Sequence, residues 1–246
     1  MLKQIKLAAI FALGFSTAIA GQTIKTTETE RALARLGDLA PDAVRCRLNE
    51  MRPPAYRPSP VLVDEIIKRQ ELPVSSGERV ERLKASLQTV LAYHERDGKL
   101  PIYVLRSDQP KAFVVARAVL IITTKLMVIT NEAELRGIVA HELAHEYLWE
   151  ERDRAFNEKD ESSLREIELF CDAVAAITLK EIGDDPACYA QALERMTYIG
   201  IKAGNITRSQ TKTHPSLDAR VKLNKWLCQR LDQATIQADE ESRFKP

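Results

Sequence analysis

The sequence predicts an α+β fold, mainly helical, with a small β-sheet beside a long helical region. Three short β-branched runs, "PIYVLRS", "AFVVA" and "AVLIITT", cluster between residues 101 and 123 and are separated by turn residues. On both sides of them, apolar residues recur at helical rather than alternating spacing. No segment repeats at a fixed period, which argues against a solenoid array.

Residues 1–20 read as a signal peptide. Lys3 and Lys6 precede an apolar run at 7–15, and Ala18-Ile19-Ala20 forms a small-residue cleavage site. About fourteen apolar or small residues fall short of the ~20 needed to span a bilayer. Cleavage after Ala20 is expected, giving a soluble, exported chain in the periplasm or the medium. Residues 21–100 read as helical, with 28–51 interrupted near Pro41 and a proline-rich connector, "RPPAYRPSP", at 52–60. Helices follow near 61–71 and 77–96, the second carrying Val80, Leu83, Leu87, Val90 and Leu91 at helical spacing. From Asn131 onward the chain reads as almost wholly helical to about 237, and 238–246 as a flexible tail.

At 246 residues, 45% apolar and 29% charged, the composition suits an ordinary globular protein. The 36 basic residues, less Lys3 and Lys6, leave 34 against 35 acidic ones, a net charge of −1. That gives no electrostatic case for nucleic acid or an anionic membrane. Cys46, Cys171, Cys188 and Cys228 permit three disulfide pairings in an oxidising compartment. Cys188 with Cys228 is the favoured pair, both falling on C-terminal helices, and buried thiols are the equal alternative.

The chemistry concentrates in "GIVAHELAHEYLWE", residues 137–150. Asn131 and Glu134 form a capping box that starts a helix expected to run through His141 and His145 to about Glu151. Positions four apart lie one turn above each other, so both imidazoles reach a single ion. Glu142 sits about 100° round, beside the ion, where it can hold a water and take its proton. A tetrahedral zinc site of this kind needs a third protein ligand. The best candidates lie in "SLREIELFCDAVAAITLKEIG", read as one helix with Ser163 and Glu166 as its capping box and Gly183 as its stop. On it Glu168 and Asp172 share a face inside an apolar stretch, where two acids need partners. One carboxylate can meet the metal while the other orients a ligating histidine. His214, before Pro215 in "TKTHPSLDARVKLN", stands at a helix entrance whose first turn Pro215 suits. His94 reads as an exposed helix-end residue, and Glu146 as a structural or surface acid.

These motifs, "NEAELRGIVAHELAHE", "ELFCDAVAA" and "THPSLDAR", resemble the HtpX and CAAX prenyl endopeptidase family of gluzincin metallopeptidases over about residues 101–228. The resemblance implies a zincin-like core at 101–237, one zinc per chain held by His141, His145 and Glu168, and Glu142 as general base and acid. It further implies Asp172 as support for a metal-binding histidine, and His214 with Arg220 as oxyanion stabilisers. A sheet edge would hold an extended polypeptide substrate by strand addition, a role assigned to 118–123. The chain departs from the family's usual pattern at Cys171, often Ala, and at Lys111, often Asn. It also lacks the several transmembrane helices of the membrane-embedded members.

The expected function is therefore zinc-dependent endopeptidase action on exported or misfolded proteins. A non-catalytic periplasmic binding or assembly factor retaining the peptidase fold is the alternative, and a metallohydrolase acting on other substrates is a second.

Overall fold

A computed structural model describes residues 27–54, 57–204, 209 and 211–243; the expected signal segment lies outside them. Helices α1 (Glu28–Leu36), α2 (Pro41–Met51), α3 (Pro60–Arg69), α4 (Glu78–Ser86) and α5 (Gln88–Tyr93) come first, with a two-residue strand β1 (Val74–Ser75) before α4. Strands β2 (Ile102–Leu105), β3 (Ala112–Val115) and β4 (Val119–Thr123) follow. The remainder is α6 (Thr124–Ile129), α7 (Glu132–Ala144), α8 (Trp149–Glu158), α9 (Glu161–Glu181), α10 (Ala187–Lys202) and α11 (Leu217–Arg243). The mainly helical α+β expectation holds. Helix α11 continues through 238–243, where the sequence suggests a flexible tail.

The sheet order is β1-β2-β4-β3. β4 pairs in parallel with β2 and antiparallel with β3, so both of its edges carry ladder bonds. This overturns the choice of 118–123 as the open edge. A central strand has no backbone groups left for a further chain, and the free edge beside α7 belongs to β3. All five residues of β4 are buried, consistent with its central place.

Helix α9 forms the axis of the helical part. Residues 166–179 are buried without interruption, the mark of a helix covered on every side. It starts one turn earlier than the expected Ser163–Glu166 capping box. Asp160 is the cap, accepting the Ser163 amide at 3.1 Å, and Glu166 instead takes Arg31 and Arg35 of α1, each at 2.6 Å. The amino-terminal helices are integral to the packing. Ala32, Leu36, Val44 and Leu48 join α9 and α11 in one apolar cluster, Val80 to Leu100 contribute to a second around α7, and Val63 and Ile66 cover the sheet in a third.

The Asn131–Glu134 capping box forms as expected, with bonds of 2.8 and 2.9 Å. α7 nevertheless ends sooner than expected. His145 is its C-cap, and tight turns occupy 145–148 before α8 begins. All four cysteines are thiols, so the favoured Cys188–Cys228 disulfide does not form.

Candidate metal centre

Helices α7 and α9 pack against each other and bring three donors from distant sequence to one point. Among the described residues His141, His145 and Glu168 form a group whose ligand atoms all lie within 4.8 Å of one another. The Nε2 of His141 stands 3.4 Å from one Glu168 oxygen and the Nε2 of His145 3.5 Å from the other. The two imidazoles lie 4.9 Å apart, nearly perpendicular. All three residues are buried.

The field at this point favours positive charge. Burial alone would raise the Glu168 carboxyl, but His141, His145 and Arg220 hold it well below the usual carboxylate range. Burial opposes a proton on His141, yet Asp172 and Glu168 outweigh it and lift the ring to about 9. His145 has less anionic support, and burial lowers it to about 3. Two imidazoles and a carboxylate, converging in a buried and electronegative site, fit a divalent transition-metal ion.

The model of peptidase family M48 matches residues 77–158. This segment is therefore similar to family M48 peptidases. A protein described as a protease HtpX homolog, from Acidiphilium cryptum (strain JF-5), is 46% identical over 48 residues. That match covers 18% of this chain, and the chain spans only 17% of the length of that relative. The M48 segment contains His141, Glu142 and His145, while Glu168, Asp172, His214 and Arg220 lie beyond its end.

Those later residues divide into two groups. Asp172 and Arg220 stand behind His141. Asp172 is fully buried, with Oδ1 3.0 Å from His141 Nδ1, and it accepts Nε and Nη2 of Arg220 at 2.8 and 2.6 Å. Burial would raise Asp172, but Arg220 and His141 hold it well below its ordinary range. His214 lies at the rim. Its side chain is 54% exposed, with Nε2 3.7 Å from Glu168 and Nδ1 2.7 Å from the Thr213 hydroxyl. Ser216 caps the helix that follows, its hydroxyl accepting the Ala219 amide at 3.2 Å, so Pro215 stands just before the helix rather than in its first turn. Glu142 is part-exposed next to His141. Burial holds its carboxyl up at about 7, against the pull of His141.

Three residues were not legible as site components. The Tyr189 hydroxyl lies 2.8 Å from His141 Nδ1, donates to Asp172 at 2.5 Å and accepts from Arg220 at 2.9 Å. Its approach depends on Gly137 of the M48 segment, where an added Cβ would stand 3.0 Å from Leu179 Cδ1 and 3.1 Å from Tyr189 Cβ. His94, expected to be exposed, is only 3% exposed; its ring bridges Tyr147 at 2.8 Å and Thr178 at 3.2 Å. Glu146, the acid after His145, is buried between Arg96 and Arg117. A groove of about 670 Å³ between the α1–α2 link and α11 contains none of these residues.

Proposed function

We propose that this chain is a zinc-dependent endopeptidase, one zinc per chain, that hydrolyses peptide bonds in extended or unfolded segments of exported or misfolded proteins. The observation that carries it is the convergence of His141, His145 and Glu168 with Glu142 beside them. Zinc held by those three residues supplies Lewis acidity that polarises a carbonyl and makes water easier to deprotonate. Glu142 takes the proton of the attacking water and passes it to the leaving amine. A carboxyl poised at about 7 suits both transfers near neutral pH. His214, exposed at the rim 3.7 Å from Glu168, stabilises the developing oxyanion. Arg220 acts from behind, since its Nε and Nη2 are committed to Asp172 and Tyr189, and we assign it the positioning of Asp172 rather than contact with substrate. The free edge of β3 is the place for an added substrate strand.

No helix among the described residues is long and apolar enough to cross a membrane. Export to the periplasm or medium is our reading of residues 1–20 and their cleavage site.

Glu142→Gln should keep zinc and lose hydrolysis of a casein-type substrate by about 10²–10⁴-fold, the range of a general base. Glu168→Ala should lose zinc. Full activity in the first variant, or unchanged metal stoichiometry in the second, contradicts the assignment.

A further inference from the structure

The two imidazoles of the donor cluster are supported by unlike groups. His141 Nδ1 faces the carboxylate of Asp172 and the hydroxyl of Tyr189. His145 Nδ1 faces the sulfur of Cys171 at 3.3 Å, fully buried on α9. Cys171 comes three residues after Glu168, so one turn of α9 carries both the carboxylate donor and the group that touches the second histidine.

A neutral imidazole has one N–H, and the hydrogen bond at one nitrogen decides which lone pair the other presents. His145 Nε2 points at the donor cluster, 3.5 Å from Glu168. If Cys171 donated its S–H to Nδ1, the proton of His145 would sit on Nε2 and block that lone pair. If the sulfur accepts, Nδ1 carries the proton and Nε2 is free. Sulfur is a weak acceptor, so this support is softer than the carboxylate behind His141.

We propose that Cys171 is the positioning residue for His145, accepting its Nδ1–H and so presenting Nε2 to the metal. The inference rests on the zinc reading above, but the contact itself can be tested without metal.

The experiment measures zinc affinity by chelator competition and the imidazole nitrogen resonances of His145 by NMR, for the wild type, Cys171→Ala, Cys171→Ser and Cys171→Val. In the metal-free wild type His145 should be the Nδ1–H tautomer, with a resonance that moves in the Ala and Val variants. Zinc should bind about 10-fold more weakly to those two, the lower end of what loss of a group supporting a ligand costs. The Ser variant, whose hydroxyl can also accept, should stay within about threefold of wild type. A space-filling role predicts otherwise: Val would match wild type, and Ala would lose stability with zinc affinity unchanged. Either result, or an Nδ1 resonance that ignores all three substitutions, overturns the proposal. A wild type that binds no zinc would defeat the metal reading, while the resonance would still decide the contact.

Discussion

Replacing Asp172 with alanine removes the group on which His141, Tyr189 and Arg220 converge, and the structure sets how much that should cost. The carboxylate is fully buried and takes two bonds from Arg220 and one from Tyr189, 3.0 Å from His141. Breaking a buried ion pair from one side costs about 3–5 kcal/mol, because the remaining charge is left without its partner. Arg220 keeps some relief, since Glu168 lies 3.9 Å away and its side chain is 13% exposed. The expectation is therefore the lower end, about 3 kcal/mol. Zinc affinity should fall 10- to 100-fold, as His141 loses its anionic support. Tyr189→Phe provides the internal comparison. It deletes three hydrogen bonds, but Arg220 and His141 both keep Asp172, so the loss is about 1.5–2 kcal/mol, the lower end for bonds to charged groups, and less than 10-fold in zinc affinity.

Urea unfolding of the metal-free variants gives the stability ranking, and chelator competition gives the metal ranking. Asp172→Asn should fall between the two, because the amide keeps the shape and one acceptor. Equal effects for Asp172→Ala and Tyr189→Phe would refute the reasoning that the carboxylate is the centre of the group. So would an Asp172→Ala protein whose zinc affinity stays within twofold of wild type.

Two further outcomes follow from the packing. Gly137→Ala gains up to about 1 kcal/mol of helix propensity but forces Leu179 and Tyr189 apart, at a cost of about 1–3 kcal/mol. A melting temperature lower by a few degrees is expected, and no change would mean that α10 gives way freely. For His94, burial and the charge of Arg52 lower the folded pKa to about 3, below an unfolded value of about 6.5. The unfolded chain then takes up the proton first, so this stability is complete above about pH 6.5 and declines towards pH 3, by up to about 1.4 kcal/mol per unit. His94→Gln should remove that slope: the wild type's advantage at pH 7.5 should shrink by about 2 kcal/mol at pH 5 in zinc-loaded samples. A constant gap would show that His94 titrates normally.

What the sequence revealed of the site was local in origin. The Asn131–Glu134 box and the four-residue spacing of His141 and His145 need only helical geometry. Glu168 and Asp172 were legible because two acids inside an apolar run cannot be left without partners. Tyr189 had no comparable signal, since a lone tyrosine becomes a site residue only when Gly137 lets α10 close on α7. His94 read as exposed because its place at a helix end says nothing about Tyr147 and Thr178 arriving from elsewhere. The edge strand was misplaced for a related reason: local pattern finds strands, but their order comes from the parallel crossover that puts β4 between β2 and β3. The earlier end of α7 has no local signal, and the residues just past it, Glu146 and Tyr147, carry side chains that reach other elements.

Those side chains connect the sheet to the donor cluster. Directly after His145, Glu146 lies 3.5 Å from Arg96 and 3.9 Å from Arg117, and Tyr147 is held by His94. Ala116 and Arg117 are the central residues of the turn between β3 and β4, which closes on the Ala118 amide donating to the Val115 carbonyl at 2.8 Å, and both are left-handed at φ +50° and +56°. Such turns ordinarily favour Asn and Gly, and two other residues there cost about 1–2 kcal/mol each. The turn persists because Arg117 is anchored from three directions: by Glu146, by the Pro54 carbonyl at 3.1 Å, and through its own carbonyl, which accepts Arg96 at 2.8 Å. The ion contacts of Glu146 with Arg96 and Arg117 thus link the tip of the free-edge hairpin to the segment that follows His145.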